Sequence, residues 1–263
     1  MPLSANGFDA WIVVGDDEAE FYAPELLEEP SGYTSWIASE LGKEFSIHWR
    51  NTDVFCQTVG RVWVDGIECS GEILLGPNMS TRVSGRRTTG SALSPFLFST
   101  INFTDDDDFV DITSSRDIGL IKLELWTINM TGTKPFTDNA PVAESKVHER
   151  SKKGVAHQTK FGEPVQGNMR SAAIVEYLET FPIVTFTFKY RSLDILQANG
   201  IAPASVRPAK RKSGTVKLEE MALSKRLKRE PLSVGRNGKS SEVIDLTRDS
   251  NSPPATAEVI DLT

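Results

Sequence analysis

All 22 aromatic residues of this 263-residue chain, 13 Phe, 5 Trp and 4 Tyr, lie between Phe8 and Tyr190. Burial of large apolar side chains is what offsets the entropy of ordering a polypeptide, so their placement limits where a fold can extend. A hydrophobic core is therefore expected within roughly the first 200 residues, and the aromatic-free remainder is expected to stay disordered. All-β architectures run to 200 or more residues as one unit, so one large body followed by a tail is the simplest division. No apolar run reaches the roughly 18 residues a membrane span requires, and no membrane partner is expected. Residues 1–20 lack a basic n-region and a continuous apolar stretch, so no secretory leader is expected there.

Within the body, apolar residues recur with a period of two. At residues 44–50, Phe45, Ile47 and Trp49 fall on one face and Ser46, His48 and Arg50 on the other, the pattern of a half-buried strand. Val62 and Val64 alternate in the same way up to Asp65-Gly66, a pair suited to a hairpin turn leading into residues 67–75. Ile121, Leu123 and Leu125 share another face, and further β-branched or aromatic runs occupy 11–14, 33–37, 96–103 and 183–190. No long segment before residue 190 carries a 3.6-residue stripe. These features predict an all-β fold: an antiparallel β-sandwich or barrel-like body with a short C-terminal helix, followed by a disordered tail. The helix is expected after Ser192, with Leu193, Ile195 and Leu196 apolar and Asn199-Gly200 as its stop. The polar, weakly patterned stretch 131–182 is expected to form long loops with at most one short element.

Catalytic and metal-binding patterns are not recognisable in the body. Its histidines are His48, His148 and His157, without HExxH or a two-His, two-Cys spacing, and Cys56 and Cys69 are too few for a zinc site. No nucleophile elbow or phosphate-cradling Gly-Lys-Ser/Thr loop occurs. His148 beside Glu149, in the basic run 146–153, could act as a base, but spacing alone assembles no active site. The acidic run 105–108 lacks the rest of a calcium loop. The expectation is no enzyme, no cofactor, no metal site and no catalytic residue. The alternative is a β-sandwich enzyme, with His148 or His157 in its site, targeted by its tail.

Residues 42–50, 146–153 with Ala156-His157, and 185–200 together resemble a fungal family of unknown function. The similarity covers most of residues 7–203 and implies one domain. Because the family's activity is uncharacterised, it implies no site residues.

Charge divides the chain into three parts. Residues 1–200 carry 17 Lys+Arg against 28 Asp+Glu, residues 201–239 carry 11 against 3, and residues 240–263 carry 1 against 5. The expected organisation is a β-rich domain at 1–203, a disordered basic linker at 204–240, and a disordered tail at 241–263. Lys210, Arg211 and Lys212 form one basic cluster; Lys225, Arg226, Lys228 and Arg229 form a second, 12 residues on. This spacing resembles a bipartite nuclear localisation signal, which implies a nuclear import receptor as partner and residence in the nucleus. The linker has no aromatic stacking platform, so specific nucleic-acid binding is not expected.

The tail repeats one hexapeptide, EVIDLT, at 242–247 and 258–263. A match to its pattern arises by composition on the order of once in 10⁵ start positions, so an identical pair is not accidental. Val243, Ile244, Asp245 and Leu246, and likewise Val259, Ile260, Asp261 and Leu262, resemble the SUMO-interacting motif. There an extended aliphatic core adds to an exposed sheet edge while acids face a basic rim. This implies docking onto SUMO, poly-SUMO chains or SUMO-modified proteins. In the linker, Lys217 and Lys228 each stand in an aliphatic-Lys-x-acid pattern resembling a SUMO acceptor site. The expected function is that of a nuclear SUMO-binding adaptor or scaffold.

Overall fold

The computed structural model describes residues 1–27, 31–104, 117–140, 142, 146–148 and 156–204. They belong to the first of the two units into which the chain divides, Met1–Pro208 and Ala209–Thr263. Strands are numbered in chain order. The first sheet contains β1 (Leu3–Ala5), β2 (Phe8–Val14), β3 (Asp17–Glu18), β6 (Glu44–Asn51), β9 (Ser80–Val83), β10 (Gly85–Arg87), β11 (Ala92–Thr100), β15 (His157–Phe161) and β16 (Val165–Gln166). Its backbone order is β1-β2-β6-β11-β10, with β3, β9, β15 and β16 attached to this path. The second sheet contains β4 (Phe21–Leu27), β5 (Gly32–Ala38), β7 (Thr58–Val64), β8 (Ile67–Leu74), β13 (Leu120–Lys134), β17 (Ala172–Tyr177) and β18 (Val184–Arg191), ordered β4-β5-β18-β13-β7-β8 with β17 on β13. Two short strands, β12 (Asn102–Thr104) and β14 (Lys146–His148), form a separate parallel pair.

The alternation read from the sequence is the packing rule of this sandwich. Phe45, Ile47 and Trp49 of β6 are at most 2% exposed, and Val62, Val64, Ile121, Leu123 and Leu125 are fully enclosed. One core cluster joins these to Phe8, Ala10 and Ile12 from β2, Phe96 and Phe98 from β11, and Phe186, Phe188 and Tyr190 from β18. Aromatic rings interlock the layers: Phe45 stacks on Phe98 with centroids 4.3 Å apart, and Phe98 meets Tyr190 of the other sheet at 5.0 Å. Among the described residues no strand pairing closes either sheet on itself, so the body is an open sandwich and not a barrel.

Turn chemistry fixes the hairpins. Asp65 and Gly66 both have positive φ, 53° and 80°, as a two-residue type I′ turn demands, and Val64 pairs with Ile67 across it. The same geometry at Asn6 and Gly7 joins β1 to β2. Helix α1 (Leu193–Ala198) ends in a Schellman motif: the Ile201 N–H donates to Leu196 O at 2.9 Å, and the Gly200 N–H to Gln197 O at 3.0 Å. Ser192 has the extended N-cap backbone but makes no side-chain capping bond.

Two expectations are corrected. The sheets are not wholly antiparallel, because β5 runs parallel to β18 over seven residue pairs. The stretch 131–182, expected as long loops, contains the end of β13 together with β14, β15, β16 and β17. Pattern reading missed β17 because neither of its faces is deeply buried, so no selection for alternation acts on it. It missed β15 because the residues buried there are His157 and Gln158 rather than aliphatics. The acidic run 105–108 lies outside the described residues.

Candidate functional site

The polar cross-strand row on the outer face of the first sheet leads to a cleft. In register, Trp11 of β2 stands opposite His48 of β6, and His48 opposite Arg82 of β9. The indole and imidazole stack with centroids 5.3 Å apart and planes 27° from parallel. The Ser46 hydroxyl lies 2.8 Å from His48 Nε2. Burial lowers the His48 pKa, and nearby Arg82 lowers it further, against a smaller opposing pull from Glu18. His48 is therefore neutral at pH 7 and serves as a flat wall rather than a charge.

Beyond Arg82 the chain turns through Ser84 into β10, bringing Arg87 to the same cavity, and Arg170, just ahead of β17, closes it. The cavity measures about 550 Å³ and is also lined by the hydroxyl residues Ser80 and Thr81 and by Glu72. Arg170 Nη1 donates to Glu72 Oε1 at 2.5 Å. Burial lowers the Arg87 pKa, and the like charge of Arg170 lowers it further while Glu72 pulls the other way. A guanidinium stays charged under such pressure, so three cations and one carboxylate line this space. Two adjoining cavities, of about 270 and 500 Å³, share both Arg87 and Arg170. Arg87 and Arg170 are far apart in the sequence, and no local pattern marks them as neighbours.

The other polar clusters hold the two sheets together. Asp65, 7% exposed, accepts the Gly119 N–H on Oδ1 at 2.8 Å, the Thr159 N–H on Oδ2 at 2.7 Å, and the Tyr190 O–H at 2.6–2.7 Å. Burial raises the Asp65 pKa, although the Tyr190 hydroxyl and neighbouring amides hold it down; burial and the Asp65 charge push Tyr190 well above the usual phenol range. Tyr190 therefore remains the donor. His157 Nδ1 lies 2.8 Å from Ser39 Oγ, with Ser39 3% and His157 7% exposed. This enclosed pair ties β15 to the end of β5, and neither residue lines the cavities described above. Burial lowers the His157 pKa, opposed by Asp194.

Other sequence candidates are readily placed. His148 ends β14, opposite Thr104 of β12. Cys56 and Cys69 are unpaired, and burial pushes the Cys69 thiol up to about 12, leaving it protonated at neutral pH. Among the described residues no cluster of His, Cys, Asp and Glu could hold a metal ion, and no helix is long and apolar enough to cross a membrane. The basic clusters at Lys210, Arg211, Lys212, Lys225, Arg226, Lys228 and Arg229, the acceptor candidate Lys217, and both EVIDLT copies lie outside the described residues.

Fold and cleft together define an open β-sandwich domain with an arginine-lined pocket on one outer face. The family model described as a domain of unknown function, DUF7918, matches residues 7–205, from the β1–β2 turn to just beyond α1. The chain belongs to that family. No curated protein and no solved structure matches it.

Proposed function

We propose that this protein is a nuclear SUMO-binding adaptor, in which the DUF7918 domain is a non-catalytic binding body carried on a SUMO-docking tail. The observation that carries this reading is the identical hexapeptide at 242–247 and 258–263. Val243, Ile244 and Leu246, with Val259, Ile260 and Leu262, are the aliphatics that would enter a groove beside an exposed strand. Asp245 and Asp261, flanked by Glu242 and Glu258, would orient each copy against a basic rim. The residues from Thr247 to Glu258 can stretch to about 40 Å at most, which permits simultaneous engagement of neighbouring SUMO units. Linking two weak sites in this way multiplies affinity by about 10²–10⁴.

The basic clusters at 210–212 and 225–229 support nuclear import, and the motifs around Lys217 and Lys228 make these the lysines to be SUMO-modified. The deciding experiment is capture of poly-SUMO and of single SUMO by the full chain. Changing Val243, Ile244, Val259 and Ile260 together to Ala abolishes both. Changing only one copy removes the preference for chains while retaining single-SUMO binding. Undiminished chain capture by the fourfold variant overturns the proposal.

A further inference from the structure

We infer that β17 is a dimerisation edge, pairing antiparallel with β17 of a second copy of this chain about a two-fold axis at Ala173. The inference concerns the body alone and does not rest on SUMO recognition by the tail. Its first support is the direction of the backbone groups. The Leu178 N–H donates to Thr127 O at 3.1 Å, and Ile174 O accepts the Thr131 hydroxyl at 3.3 Å, so the even-numbered residues face β13. Backbone groups alternate sides along a strand, and those of Ala173, Val175 and Tyr177 therefore point away from β13. Among the described residues β17 pairs with β13 alone, and no hydrogen bond reaches these outward groups.

Such an edge is a template for another strand, and folds usually blunt it. The strands that end the path of the second sheet are blunted. β4 carries Pro24 and a bulge where Ala23 takes a φ of 45°, and β8 shifts register against β7 between Arg61 and Trp63. β17 has no proline and no lysine. It has no bulge of its own either, because the extra residue at its register shift, Thr131, belongs to β13.

Self-complementarity singles out a second copy as the partner. With the axis at Ala173, that residue meets its own counterpart, Ala172 meets the exposed Ile174, and Ser171, just ahead of the strand, meets Val175. The same register sets Glu176 opposite Arg170 of the second copy, once on each side of the axis, and opposite charges facing across strands stabilise the pair. Arg170 holds Glu72 through Nη1 and its side chain is 53% exposed, which leaves other donors of the guanidinium fork for Glu176. An axis at Val175, the alternative that also matches outward groups, sets Glu176 opposite Ile174 and makes no such pair. Met169 and Tyr177, both exposed, stand opposite one another across the Ala173 axis, a thioether against an aromatic ring.

The test is sedimentation equilibrium of the full chain over a concentration series, and a reversible monomer–dimer equilibrium is expected. Val175→Pro deletes an outward N–H while leaving the pairing to β13 intact, since proline is tolerated where a strand N–H faces solvent. By symmetry it removes two hydrogen bonds, so the dimer dissociation constant should rise about 10-fold or more. Glu176→Arg, at an exposed position, should weaken the dimer by setting like charges opposite. An unshifted thermal transition of the dilute monomer verifies that each variant is folded. Ala173→Cys reads the register. Directly opposed residues of a hydrogen-bonded antiparallel pair have Cα atoms about 5.5 Å apart, within reach of a disulfide, so mild oxidation should link the two copies. Tyr177→Cys, remote from the axis, and the wild-type chain with Cys56 and Cys69 should stay unlinked. Four results overturn the inference: a monomer at every concentration, a dimer indifferent to both Val175→Pro and Glu176→Arg, a dimer that Ala173→Cys does not link, and a dimer abolished by changing Val243, Ile244, Val259 and Ile260 to Ala, which would assign association to the tail. Capture of single SUMO by the Val175→Pro variant should be unaltered, so failure here and failure of the adaptor proposal are separable.

Discussion

A side chain at Gly60 would place its Cβ 2.5 Å from Cζ2 and 2.6 Å from Cε2 of Trp49. Gly60 belongs to β7 and Trp49 to β6, so the indole of one sheet packs against the bare backbone of the other. The largest fully buried side chain in the body thus depends on the smallest residue opposite it. Gly60→Ala forces either the ring or the strand to move, and overpacking of this kind costs about 1–3 kcal/mol. Urea denaturation should show a lowered midpoint. A second measurement isolates the cause: with Trp49→Phe, whose smaller ring vacates part of the contact, the added cost of Gly60→Ala should shrink. Trp49 Nε1 is buried with no hydrogen-bond partner in the structure, so the Phe variant loses volume without orphaning a further polar group. Strictly additive effects would mean that the contact does not govern packing here.

At the scale of elements, Asp65 joins three of them: it sits in the β7–β8 turn, accepts the Thr159 N–H from β15 and takes the Tyr190 hydroxyl from β18. Asp65→Ala strands the Gly119 and Thr159 amides in the interior and leaves the Tyr190 hydroxyl with Thr159 Oγ1, 3.1 Å away, as its partner. At about 1–3 kcal/mol for each unsatisfied buried group, a total loss of about 3 kcal/mol or more is expected. Tyr190→Phe removes one donor to a charged acceptor and should cost about 1.5–3 kcal/mol. The double variant should lose less than the sum of the single changes, as a shared network requires. A loss below about 1 kcal/mol for Asp65→Ala would show that water replaces the carboxylate and that the elements are joined by apolar packing alone. The sequence showed the turn but not the knot. Asp65-Gly66 reads as a hairpin from local chemistry, and β6, β7 and β13 read as strands because their aliphatics alternate. That Asp65 faces inward, or that His157 and Gln158 are buried in β15, depends on partners distant in sequence. The arginine cleft was hidden for the same reason: Arg82, Arg87 and Arg170 meet only after β9 pairs with β6, β10 pairs with β11, and the chain returns to β13 as β17.

For the whole body, pH links the cleft to the joint between sheets. Burial lowers the pKa of both His48 and His157 below the ordinary value of 6.5. A histidine of this kind takes up its proton more readily when unfolded, so folding stability is unaffected well above pH 6.5 and falls as pH drops below it, until the folded-state pKa is reached. Each histidine can contribute a slope of up to about 1.4 kcal/mol per pH unit. Other groups act in different ways. Asp9 is held below its ordinary value of 3.8: burial alone would raise it, but the Ser4 hydroxyl and Arg50 more than compensate, so its stabilising contribution is lost only at lower pH. Asp65, raised by burial, opposes the histidines, because the folded state protonates it more readily. The measurement is therefore a difference. In phosphate-free buffer between pH 7.5 and 5, wild-type stability should fall relative to that of a His48→Gln, His157→Gln variant, and the gap should change with each step in pH. A gap of constant size would show that neither imidazole is held neutral by the fold, removing the basis for treating His48 as an uncharged wall of the cleft.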